Sequence, residues 1–163
     1  MTQYSIREII GQYVRGGGLG GDLLILNADG VFTQNSSGCT YHSHISGTYE
    51  YSEGGLSFRL LTVASEEYGP RGKRIVHYDP ADNIEWTTFN MGGVKRAIRL
   101  FPVKWRERMY LIEATKLKLF EKAVASGFES HSKLLDSYYS QTFYLRVENE
   151  EKTICGDSAL PGT

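Results

Sequence analysis

From Ala97 to Gly127 the sequence runs AIRLFPVKWRERMYLIEATKLKLFEKAVASG, and its hydrophobic period changes once along the way. Ala97 to Trp105 and Glu107 to Glu113 read as two strands joined by a tight turn. After Thr115, a plausible helix cap, Leu117, Phe120 and Val124 fall on one face of a helix. Lys116, Lys118, Glu121 and Lys122 lie outside that stripe, and Gly127 is placed to end it. A hairpin followed directly by one amphipathic helix leaves no room for repeated strand–helix alternation. The rest of the chain shows no such alternation either, which disfavours a parallel α/β sheet and points to an antiparallel β architecture with a helix packed on it.

The preceding chain agrees. Asp22 to Leu26 and Val31 to Gln34 flank Ala28-Asp29-Gly30, a hairpin signal whose expected form is a type I′ turn. Asn35 to Gly38 reads as the next turn. From Cys39 to Tyr51 the chain alternates, with Tyr41, Ile45, Tyr49 and Tyr51 on one parity and His42, His44, Thr48 and Glu50 on the other. Gly47 interrupts that strand and predicts a bulge. Ser52 to Gly55 turns the chain, and Leu56, Phe58, Leu60 and Thr62 continue the alternation. Polar residues from Glu66 to Arg74 predict a loop at a mouth. Ile75 to Tyr78 and Ile84 to Phe89 are short strands, and Pro102 marks its own strand as an edge or a bulged one.

Ile6, Ile9, Ile10 and Tyr13 predict a short helix over about residues 5–13, capped by Ser5, which must dock to persist. The following RGGGLGG lacks the strand before it and the helix after it that a phosphate loop requires, so it reads as a turn. Strands are expected over about residues 22–113, a helix over about 115–126, a last strand over about 139–147 and a loose tail over 148–163. The expected fold is a single antiparallel β-barrel domain spanning residues 1–163. It has eight or nine strands, a short N-terminal helix and one C-terminal helix, because closure removes exposed strand edges.

The four stretches LLILNADGVFTQ, GTYEY, LFPVKWRERMYLI and FEKAVASG together resemble a group of uncharacterised bacterial proteins that look like small lipocalin-like (calycin-type) β-barrels. The resemblance runs from about Gly11 to Arg146. It implies this fold and a cavity for a hydrophobic or amphipathic ligand, and it carries no catalytic residue across.

With 18 basic and 19 acidic residues the net charge is −1, which removes the long-range attraction that nucleic-acid binding normally rests on. No basic leader precedes an apolar run, and no run reaches the roughly 20 residues of a membrane helix, so the expectation is a cytoplasmic protein away from membranes. Two cysteines, Cys39 and Cys155, make no disulfide framework.

Three functional readings remain. The first is a non-catalytic small-molecule binding barrel without cofactor. The candidate ligand residues are Tyr41, His42, His44, Tyr49, Trp86 and Tyr110, since aromatic rings offer area and their polar atoms offer direction. The second is a protein-interaction module of inhibitor or immunity type, using the basic hairpin tip Lys104, Trp105, Arg106 and Arg108. The third is an enzyme that uses His42 or His44 inside the barrel as a general base. Cys39, His42 and His44 fall short of the four ligands of a closed zinc site, so no metal is assigned, and no catalytic residue is named.

Overall fold

The computed structural model describes residues 3–17, 20–67, 72–89, 93, 95–136, 139 and 141–148. The expected tail from Asn149 onward, Cys155 within it and the middle of the Glu66–Arg74 loop lie outside the described residues.

The fold is a closed, eight-stranded antiparallel β-barrel with a short N-terminal helix and a C-terminal helix. Its staves in spatial order are β4 (Tyr41–Ser52), β3 (Val31–Ser37), β2 (Gly20–Leu26), β1 (Gly11–Gly17), β11 (Tyr144–Arg146), β10 (Arg108–Glu113), β9 (Arg99–Trp105) and β5 (Gly55–Glu67). The ring closes because β5 pairs with β4 as well as with β9. β6 (Lys73–His77) extends the sheet from the far end of β5. A separate hairpin is made by β7 (Thr87–Phe89) and β8 (Lys95–Ala97).

Alternation sorts the side chains into two cores. Tyr13, Leu24, Phe32, Phe58, Trp86 and Leu111 are among those filling the barrel interior. Phe32, Phe58 and Trp86 form a ring trio with centroids 4.9, 5.5 and 5.2 Å apart, edge-on and stacked contacts that rings prefer. The opposite parity of β10 and β11, Tyr110, Ile112 and Leu145, forms an outer core beneath α2 (Leu117–Ala125) and α3 (His131–Leu135). The C-terminal helix thus covers a wall of the barrel, and Phe120 and Ala123 are its buried residues.

Several boundaries differ from expectation for local reasons. The N-terminal helix, α1, is only Ile6–Ile9, closed by a capping box between Ser5 and Glu8. Residues Gly11 to Gly17, expected partly as helix, are strand because they pair on both sides, with β2 and with β11. Ile9 enters the interior core, and Tyr4 bonds both Tyr51 and Lys104, so α1 closes one end of the barrel. The Asp29-Gly30 turn is not type I′: Gly30 has φ +84° while Asp29 does not have positive φ. The Asn27 N–H instead takes the Val31 carbonyl at 2.9 Å, the form of a three-residue loop with a left-handed glycine. β3 runs on through the expected turn to Ser37. α2 is entered from a 3-10 turn, Ala114–Lys116, so Lys116 rather than Thr115 is its N-cap.

The bulge expected at Gly47 is present, but its extra residue belongs to the partner strand. Ser46 pairs with Thr62 and Gly47 with Leu60, leaving Leu61 over. Beyond that point the inward parity of β5 switches from Leu56, Phe58 and Leu60 to Val63 and Ser65. Thr62 therefore falls outside the alternating series of Leu56, Phe58 and Leu60 that the sequence pattern grouped it with.

Buried phenols give the fold a pH limit. Burial raises the pKa of Tyr13, Tyr49, Tyr110 and Tyr144, the last to about 12. The unfolded chain loses these protons first, near pH 10, so the stabilisation is complete below that pH and is withdrawn as pH rises through the folded values. In an alkaline titration, phenolate absorbance from these four is expected to appear together with loss of far-UV circular dichroism. Ionisation of all tyrosines with the fold intact would contradict it.

Candidate functional site

The interior changes character along the barrel axis. Near the α1 end, Leu26, Phe32, Gly47 and Leu60 form one cross-strand row. The next row up is Tyr13, Leu24, Gln34, Ile45 and Val63, and the one above that is Arg15, Asp22, Ser36, Ser43 and Ser65. From β10, Glu113 continues the inward parity of Met109 and Leu111 into the same end. The end away from α1 is therefore polar and charged inside.

Arg15 organises it. Its guanidinium lies 2.7 Å from Asp22 and 3.1 Å from Glu113, and its Cζ stands 4.3 Å from the Tyr144 ring centroid. Asp22 also accepts from the Ser36 hydroxyl at 2.6 Å, Lys116 reaches Glu113 at 3.5 Å, and Gln34 donates to the Tyr144 hydroxyl at 3.4 Å. Burial opposes the Arg15 charge, yet Tyr144, Asp22 and Glu113 outweigh it and raise its pKa. The three ionic side chains keep only 18–20% of their surface exposed.

Arg15, Asp22 and Glu113 line a cleft of about 800 Å³. Its other lining comes from the 3-10 turn Ala114–Lys116, from Gln141, and from the β7–β9 segment at Thr88 and Arg96 to Arg99. The volume is in the range of small-molecule sites, with several hydrogen-bonding groups converging beside Ala97, Ile98 and Ala114.

The residues singled out from sequence do not converge. Tyr49 and Trp86 are in the packed interior, with the Tyr49 hydroxyl donating to the Asn27 carbonyl. Tyr110 lies in the outer core under the helices, where its hydroxyl donates to His131 Nδ1 at 2.7 Å while His131 Nε2–H donates to the Arg106 carbonyl. Tyr41 and His42 are exposed. His44 points away from the interior parity, with Nδ1 2.7 Å from Asn35. His42 and His44 line a separate groove of about 330 Å³ with Asn35, Ala64 and Glu66. His77 is exposed and His131 belongs to the helix layer, so none of the four histidines faces the interior. Among the described residues no group of three His, Cys, Asp or Glu side chains is placed to hold a metal ion.

The basic tip is largely committed within the molecule. Arg106 donates to the Phe128 carbonyl at 2.9 Å, Arg108 donates to the Arg146 carbonyl and pairs with Glu148, and Trp105 packs edge-on to His131. Lys104 and Arg106 are the exposed members of the four, and among the described residues the Lys104 ammonium is tied only to Glu8, at 3.8 Å. The tip is a two-residue turn with positive φ at both Arg106 and Glu107.

The charged cluster left a trace in the sequence. Asp22 stands at the parity of Leu24 and Leu26, and Glu113 at that of Met109 and Leu111. A charge on the inward parity of an apolar strand is the signal. For Arg15 no such pattern was readable while residues up to Tyr13 read as helix.

No family model, curated protein or solved structure matches this chain. Among the described residues no helix is long and apolar enough to cross a membrane. The class that fold and site define is accordingly a closed antiparallel β-barrel with an ionic cleft at one end.

Proposed function

We propose that the protein is a non-catalytic small-molecule binding barrel, lipocalin-like in plan, whose ligand sits in the cleft at the Arg15 end. The observation that carries this reading is the contrast inside the barrel. The α1 end is filled by the Phe32–Phe58–Trp86 trio, while the other end opens on about 800 Å³ bounded by Arg15, Asp22 and Glu113. A ligand that suits it is amphipathic, with polar atoms toward the ionic cluster and carbon against Ala97, Ile98 and Ala114. The site supplies fixed charges and hydrogen bonds, and no histidine or cysteine of the described residues lines it to act as a nucleophile or base.

Ala114 is exposed and lines the cleft, so Ala114→Trp fills it from the rim without touching either core. Titration with 1-anilinonaphthalene-8-sulfonate is expected to give saturable fluorescence with the native chain, displaceable by smaller amphipathic molecules. Ala114→Trp should lose it at an unchanged melting temperature. Equal fluorescence from both proteins would refute the cleft as the seat.

A further inference from the structure

We propose that the open edge of β6 takes up an extended, acidic segment of a partner protein as one more antiparallel strand of the sheet. The cleft has no part in this. Closure of the barrel leaves the nine-stranded sheet one terminal strand. β4, at the other end of the order, also pairs with β5, whereas β6 pairs with β5 alone among the described residues. The Tyr78 N–H donates to the Leu61 carbonyl at 2.8 Å, one step beyond the pairing of His77 with Thr62. Backbone groups of a strand alternate in direction, so Arg74 and Val76 also turn their N–H groups toward β5. Lys73, Ile75 and His77 turn theirs, with their carbonyls, away from the sheet. That row is what an added strand bonds to.

Sheet edges are often blunted by lysine, proline or a bulge, and Lys73 and Arg74 are the cations such a device would use. The rest of β6 does not fit it. Its register with β5 runs unbroken over all five residues, it holds no proline, and Ile75 at its centre is 50% exposed, more than any other large apolar side chain among the described residues. Register puts Arg74 and Val76 on the face of Ser65 and Val63, and Lys73, Ile75 and His77 on the outer one. Lys73 stands across from Glu66, yet no ion pair joins Lys73 or Arg74 to a carboxylate among the described residues. Two free cations beside two β-branched apolar residues define their complement. It is an antiparallel segment with valine and isoleucine opposite Val76 and Ile75, followed by carboxylates opposite Arg74 and Lys73. Charge favours this occupant over another copy of the chain, because a second β6 would bring the same two cations to the same edge.

The test is fluorescence anisotropy with a labelled synthetic peptide, Thr-Val-Ile-Glu-Glu flanked by glycines. Two further probes are the same peptide with lysine for both glutamates, and the same peptide N-methylated at its isoleucine, which removes the donor aimed at the Ile75 carbonyl. Each is titrated with the native chain, with Ile75→Pro and with the double variant Lys73→Glu, Arg74→Glu. Proline at this position removes an edge donor and none that bonds β5, so the melting temperature should hold. The acidic peptide is expected to saturate the native chain. Binding should weaken about tenfold or more in Ile75→Pro and on N-methylation, and the double variant should prefer the lysine peptide. Should Ile75→Pro fail to fold, the N-methylated peptide on the native chain carries the same comparison. Binding untouched by N-methylation would mean charge attraction without strand addition, and binding untouched by the double variant would place the peptide elsewhere; either overturns the proposal. So would no anisotropy change with the acidic peptide. A native dimer by light scattering that Ile75→Pro converts to monomer would give the edge to a second copy and overturn the acidic partner.

Discussion

Gly47→Ala is expected to cost about 3 kcal/mol or more of folding stability. Gly47 is buried, and a Cβ built on it would collide with the Arg59 carbonyl oxygen and lie 3.1 Å from Leu60 Cα. Both are backbone of β5, which cannot swing aside as a flexible side chain would. The collision falls where the β4–β5 register shifts, so relieving it means separating the hairpin that closes the barrel. Phe32, the cross-strand partner of Gly47, belongs to the interior ring trio, and any shift of β4 disturbs that packing as well. Chemical denaturation should show a lower midpoint with the slope unchanged. Thr48→Ala, exposed one residue away, should stay within about 0.5 kcal/mol of the native chain. A Gly47→Ala protein as stable as that control would show that no close backbone approach exists.

Arg15→Met should cost about 3 kcal/mol, the low end for breaking a buried ion pair because each partner keeps some contact with solvent. The loss comes from what is left behind. Asp22 and Glu113 would face each other's charge inside the barrel with only Ser36 and Lys116 as partners. The Tyr144 ring would also lose its cation. The triple variant Arg15→Met, Asp22→Asn, Glu113→Gln removes the charges together and should recover most of the stability, to within about 1 kcal/mol of the native chain. If the single variant were no more costly than the triple, the cluster would be a surface feature rather than an interior one.

The architecture was legible because it depends on local periods. Residues 97–127 show a hairpin and a helix, and Asp29-Gly30 and Glu53-Gly54 show turns, since a φ preference acts within a few residues. Even the bulge at Gly47 could be anticipated. Which strand would carry the extra residue could not, because Leu61 is extra only relative to the pairing of β4. The N-terminal helix was overextended for a similar reason: Ile10 and Tyr13 fit a helical stripe, and only pairing with β2 and β11 makes Gly11 to Gly17 a strand.

The site was less legible. Alternation tells which residues share a face, and it grouped Tyr41, Tyr49 and Tyr51 correctly. It does not tell how deep along the barrel axis each one lies, and depth separates the exposed Tyr41 from the buried Tyr49. Nor does it tell what covers the outer face of a stave. Tyr110 read as a cavity residue, but a helix layer buries it on the outside, because the apolar stripe of α2 needed a partner and the outward parity of β10 supplied one. The basic tip read as a free surface, yet its guanidiniums hold backbone carbonyls of segments more than 20 residues away.

By itself, then, the sequence indicated most of the elements, β1 excepted, and an antiparallel barrel of about eight strands, which follow from short-range propensity and the need to leave few open edges. Only the tertiary structure decided that Arg15, Asp22 and Glu113 meet. They come from three strands and are separated by up to 98 residues. What brings them together is the stagger of the staves, which sets which residues share a level and is fixed only when every strand has paired.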